Sequence, residues 1–163
     1  MAIIKQLIKT ITMENPNLET FKAEALGIQR STKVSITDTE WTILVDEPKG
    51  HGGSGTGANP MQYFTASLAG CQNEQAQVVA GELSLKIDQI DMKVETDLDL
   101  SGFMGEAEHS NGSYKNVRLE TVVTGDVTDE QVKLLGQKVD ARCPILALLR
   151  SGGCKVESSW TKK

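Results

Sequence analysis

The segment that most constrains this chain runs from Asn59-Pro60-Met61-Gln62-Tyr63-Phe64 through Leu68-Ala69-Gly70-Cys71, preceded by the run Gly52-Gly53-Ser54-Gly55-Thr56-Gly57. Pro60 suits the first helical position, where a backbone N–H has no partner inside the helix. Asn59 can cap that helix, and Gln62 can complete a capping box. The pattern predicts a helix from Pro60 to about Gly81, roughly six turns or ~30 Å, enough to run through the middle of a small domain. Met61, Phe64, Leu68, Cys71, Gln75 and Val78 recur at spacings of three and four. That periodicity predicts a buried stripe with the Cys71 thiol on it.

Before the helix the period is two. Phe21, Ala23 and Ala25, then Val34 and Ile36, then Trp41, Ile43 and Val45 predict a three-stranded antiparallel meander, broken at Gly27 and at Thr37-Asp38-Thr39. After Gly81, Leu85, Ile87, Ile90, Met92 and Val94 predict a strand. A polar loop follows over Ser101 to Ser113, with Tyr114, Val117, Leu119 and Val122 on the returning strand. Thr128-Asp129-Glu130-Gln131 is a second capping box, opening a helix with Val132, Leu135 and Val139 on one face. Pro144 removes a backbone donor and must break that helix near Arg142-Cys143. Gly152-Gly153 ends the apolar continuation, and Cys154 to Trp160 predict a last strand. The order strands, helix, strands, helix, strand predicts an α+β protein: a single domain with lobes at approximately 1–82 and 83–163.

Composition narrows the function classes. With 163 residues, 39% of them hydrophobic, one compact core is within reach. The formal charge is 17 − 22 = −5 with no basic run, which argues against nucleic acid or an anionic membrane as partner. Ile3, Ile4, Leu7, Ile8 and Ile11 form a short amphipathic segment, interrupted by lysines and followed by no small-residue cleavage site. No stretch approaches the roughly 20 apolar residues that span a bilayer. The expectation is a soluble cytoplasmic protein. The glycine run lacks the Lys-Ser/Thr of a phosphate-binding loop. His51 has no short Cys/His spacing to suggest a metal site, and His109 falls in the polar loop. No metal or cofactor is expected.

Three widely spaced cysteines do not make a secreted disulfide scaffold. Cys154 and the tryptophans, Trp41 and Trp160, are assigned to packing. Each predicted helix carries one internal cysteine, Cys71 and Cys143. Buried free thiols are common as inert core residues. However, Cys71 is followed by Gln72-Asn73-Glu74-Gln75, polar residues where the helix should be buried, as though it lined a cavity or interface. Glu74 would oppose thiolate formation if it faced Cys71, and is expected to point away. Crossing helices could bring the two thiols to a reversible disulfide, which requires Cα atoms within about 7 Å.

Asp46-Glu47-Pro48, Gly52-Gly53, Gly57-Ala58-Asn59-Pro60, Leu68-Ala69-Gly70-Cys71 and Arg142-Cys143-Pro144-Ile145, in this order, resemble the OsmC/Ohr family of osmotically induced and organic hydroperoxide resistance proteins. The resemblance extends from Phe21 to Trp160. It implies an intertwined homodimer, with antiparallel sheets around two long central helices and active sites at the subunit interface. It also implies a cysteine-based peroxidase for organic hydroperoxides, reset by an external dithiol. Carried across, Cys71 is the peroxidatic cysteine and Cys143 the resolving one. Arg30 is the arginine that polarises the peroxide and stabilises the thiolate.

One position departs from the pattern. Where peroxidase members carry a glutamate in the first helical turn to pair with the arginine, this chain has Met61 and Gln62. Gln62 can accept a hydrogen bond from Arg30 but supplies no charge, which implies weak or specialised activity. Two alternatives follow: a non-catalytic dimer of the same fold binding a small apolar ligand, and a thiol redox sensor.

Overall fold

The computed structural model describes residues 16–105 and 112–163. The amphipathic segment 1–12 and His109 lie outside the described residues. The chain divides into two compact units, Met1–Asn59 and Pro60–Lys163, each with its own three-stranded sheet.

In the first unit β1 (Ala23–Ile28), β2 (Ser31–Ile36) and β3 (Thr42–Val45) form the expected antiparallel meander. The first turn falls at Gln29-Arg30, beyond the expected break at Gly27, which stays in β1 opposite Thr32. A two-residue hairpin needs a left-handed residue, and Gln29 supplies it with φ 55°. The second turn is where Thr37-Asp38-Thr39 predicts it. Asp38 has φ 65°, and Thr39 Oγ1 accepts from the Trp41 N–H while donating to the Ile36 carbonyl. After β3 a 3₁₀ turn, Lys49–His51, leads into the glycine-rich segment. Ala58 then returns beside Val45, and the Asp46 N–H donates to the Ala58 carbonyl at 3.1 Å. Residues 47–57 are therefore a loop closed at the end of β3.

Trp41 corrects the packing assignment, since it is 74% exposed. No helix longer than the 3₁₀ turn belongs to this unit among the described residues, so nothing within it covers the indole.

The second unit opens with α1 (Pro60–Glu82), 23 residues long. β4 (Lys86–Leu98) and β5 (Tyr114–Asp126) make a long antiparallel hairpin, followed by α2 (Asp129–Arg142), α3 (Pro144–Ser151) and β6 (Lys155–Lys162). The α+β class holds, with one correction: β6 pairs parallel to β5, so this sheet is mixed. Parallel neighbours require a crossover, which α2 and α3 provide. The Thr128–Gln131 capping box is formed in both directions, and the break falls at Cys143 as Pro144 dictates.

The buried face of α1 is also corrected. It carries Leu68, Gln72, Ala76, Val79 and Ala80, whereas Val78 and Met61 are exposed and Cys71 is half-buried at the margin. Small residues lie all round this helix, so its apolar periodicity is too weak to select one side. Two core clusters result. One joins Ala76, Val79, Val123, Val132, Leu135 and Val139, with Trp160 packed against it as assigned. The other joins Leu68, Val117, Leu119, Leu146 and Leu149 with Cys143 and Cys154.

Candidate active site: two thiols where one helix ends and another begins

Pro144 locates this site. A residue before proline is pushed out of helical geometry. Cys143 accordingly has φ −67° and ψ 114°, ending α2 and capping α3. Its Sγ accepts from the Leu146 N–H at 3.5 Å and donates to the Sγ of Cys71, 3.1 Å away. Both thiols are free. The separation exceeds the ~2.05 Å of a disulfide by about an ångström, so bond formation asks for a small side-chain movement. Cys143 is fully buried, and Cys71 is half-buried.

Burial pushes the Cys71 thiol up to about 11; the adjacent Cys143 adds to the rise, and the Ile145 N–H opposes it. Loss of solvent is the largest effect, and the neighbouring Cys143 acts in the same direction. The second unit by itself therefore favours Cys71 as the neutral thiol at neutral pH.

Apolar side chains surround the pair. Phe64 and Tyr114 stack with ring centroids 4.8 Å apart at 23°. They pack with Met92, Val94, Ile145 and Val156 in the same cluster as the thiols. The Tyr114 hydroxyl donates to Met61 Sδ at 3.3 Å, so the residue standing in the helix-start position is tied to this aromatic pair.

Of the residues singled out in the sequence, the structure brings Cys71 and Cys143 together. Arg30 belongs to the first unit, exposed at the β1–β2 turn. Gln62 lies exposed in the first turn of α1 and has an interaction of its own. Glu74 is exposed, and Cys154 sits in the core cluster with its Sγ donating to the Lys155 carbonyl. Among the described residues no group of three or more His, Cys, Asp and Glu side chains could hold a metal ion. None of the helices there is long and apolar enough to cross a membrane.

The structure joins Gln72, from the polar run after Cys71, to Asp140 and Trp160, which the sequence does not place beside it. Gln72, next to Cys71, is completely buried, and neither atom of its amide makes a hydrogen bond of full geometry. The same is true of Asp140 Oδ1 and Trp160 Nε1. Burial raises the Asp140 carboxyl against the pull of Ser158, Arg150, Trp160 and Gln72. The polar run after Cys71 was the available signal; only packing shows which of its members turns inward.

One thiol from a long helix and one at the head of a proline-started helix, above a mixed sheet, define an α+β dithiol protein. The profile of the OsmC-like protein family matches residues 51–159, more than half of the chain, and the chain belongs to that family. Solved structures agree with the fold. An organic hydroperoxide resistance protein OsmC from Legionella pneumophila superposes with a TM-score of 0.70 at 25% identity, covering 87% of this chain and 96% of its own. One from Elizabethkingia anophelis gives 0.73 at 23% identity, with 91% and 99% covered. OhrB of Bacillus subtilis, also an organic hydroperoxide resistance protein, gives 0.59 at 26%, with 89% and 98% covered. No curated protein sequence matches the chain.

Proposed function

We propose that this protein is a thiol-dependent peroxidase for organic hydroperoxides, with Cys71 peroxidatic, Cys143 resolving and Arg30 activating. The carrying observation is the 3.1 Å separation between the thiols of a half-buried and a fully buried cysteine. Family membership and the names of its structural relatives support a role toward hydroperoxides.

The Cys71 thiolate attacks the terminal peroxide oxygen. An S–O bond forms as the O–O bond breaks, and the alkoxide leaves as the alcohol after taking a proton. Cys71 is then a sulfenic acid. The Cys143 sulfur attacks it, forming the disulfide and releasing water. An external cytoplasmic dithiol reduces this disulfide by thiol–disulfide exchange: it supplies the two electrons and two protons that restore both thiols, and leaves as its own disulfide. Arg30 supplies the permanent positive charge that the raised Cys71 thiol requires, and the apolar surroundings of Cys71 suit an alkyl group.

The working unit in this proposal is a homodimer. Leu26, Lys33 and Leu44 share one row across the first sheet, with Ile28 on the same side. Leu26, Ile28 and Leu44 are exposed in the single chain. Leaving this apolar row in water is unfavourable, and a second copy would cover it.

The test is consumption of tert-butyl hydroperoxide with excess dithiol. Wild type turns over, Cys71→Ser does not, and Cys143→Ser stops at the sulfenic acid, trapped by dimedone. No turnover above free dithiol in the wild type would move the reading to a non-catalytic, ligand-binding dimer. The Tyr114–Met61 contact at the position of the missing glutamate favours that alternative.

A further inference from the structure

The chain lacks the helix-start glutamate, yet its arginine is not without support. Arg30 forms no ion pair among the described residues; its side chain lies over the closed loop that follows β3. A Cβ added to Gly52 would stand 3.3 Å from Arg30 Nε and 3.6 Å from Cδ, and Gly52 has φ +83°. The guanidinium stem thus lies close against the Gly52 backbone, whose positive φ favours glycine. At Gly53 a Cβ would fall 1.9 Å from the Glu47 carbonyl oxygen, so the loop doubles back tightly there.

What holds the loop in this shape is one carboxylate. Asp46 is 1% exposed. Its Oδ1 accepts from the Glu47 N–H at 2.9 Å and the Ser54 N–H at 3.3 Å. Its Oδ2 accepts from the Ser54 hydroxyl, from the Thr56 N–H at 2.9 Å and from the Thr56 hydroxyl at 3.0 Å. Backbone bonds from the His51, Gly52 and Gly53 N–H groups to Pro48 and Lys49 carbonyls complete the turn. These donors stabilise the ionised form, and the Ser54 hydroxyl foremost keeps the Asp46 carboxyl well below the usual carboxylate range.

We infer that Asp46 is a positioning residue for Arg30: it folds residues 47–57 into the platform on which the arginine side chain lies. In this chain the platform performs the orienting task otherwise assigned to a helix-start carboxylate. Asp46 touches neither thiol nor arginine charge and acts through Gly52. The catalytic consequence rests on the peroxidase reading; the positioning itself does not.

The experiment uses full-length protein with ¹⁵N-labelled arginine, the Arg30 Nε–Hε signal being assigned by its loss in Arg30→Lys. Asp46→Asn places an NH₂ against donors, and the milder double variant Ser54→Ala/Thr56→Val removes two of them. In both, the Arg30 signal is expected to collapse toward the solvent-averaged position with faster hydrogen exchange, while those of Arg118, Arg142 and Arg150 stay in place. An Arg30 signal unchanged in both variants overturns the inference, as does movement of all four signals together. In turnover, Asp46→Asn is expected to lower kcat/KM by roughly tenfold or more, with no further loss in an Arg30→Ala background. Equal losses in the two backgrounds overturn action through Arg30. A wild type without turnover sinks the peroxidase reading, and the arginine signals then decide the positioning by themselves.

Discussion

Cys71 and Cys143 are the same residue type with unequal burial, and the proposed cycle assigns them different tasks on that difference. Cys71 is the less buried of the two, so alkylation should mark it first. Its rate should climb about tenfold per pH unit until the thiol has ionised. If Arg30 supplies the activating charge, the inflection in wild type lies below that in Arg30→Ala; coincident profiles, followed by peptide mapping with iodoacetamide, would remove Arg30 from the mechanism. Asp140 gives a second test. Its folded-state carboxyl is raised above the ordinary 3.8 by burial, so between the two values the native state binds more protons than the unfolded chain. Stability then falls as pH rises through that window, and the cost persists above it. Asp140→Asn should therefore melt higher than wild type at pH 7, with the difference vanishing below about pH 3.8, as read from melting curves across that range.

Helices and strands differ in how much of them is readable in the chain. The start of α2 was written in Thr128 and Gln131, and its end in Pro144, because caps and prolines act on backbone groups within a turn of themselves. The side that α1 turns to the core was not readable, since Ala, Gly and Ser residues give nearly every side a similar hydrophobicity. Gly136 is another feature that only packing explains. A Cβ there would fall 2.3 Å from Trp160 Cγ, which shows α2 resting directly on the indole of β6. Alanine normally stabilises a helix interior by about 1 kcal/mol relative to glycine. Here Gly136→Ala should instead lower stability by a net 1–3 kcal/mol or so, through overpacking. Denaturant unfolding measures the sign, and a more stable variant would show that α2 can shift away from the strand.

At the scale of the molecule, the exposed side of the first sheet predicts an assembly. Gel filtration with light scattering should give about twice 17.7 kDa, and Leu26→Ser/Ile28→Ser should shift the mass toward one copy. A wild-type monomer would leave this apolar surface without its proposed cover. The sequence by itself determined the α+β order, the long helix after the glycine run, the capping box and the break at Cys143. Each of these depends on residues within a few positions of one another. Tertiary structure decided the rest: the parallel pairing of β6, the approach of two sulfurs 72 positions apart, the inward turn of Gln72 and the seat of Arg30 on Gly52. Those outcomes follow from which surfaces meet when the chain closes on itself, and local residue patterns do not encode distance across a fold.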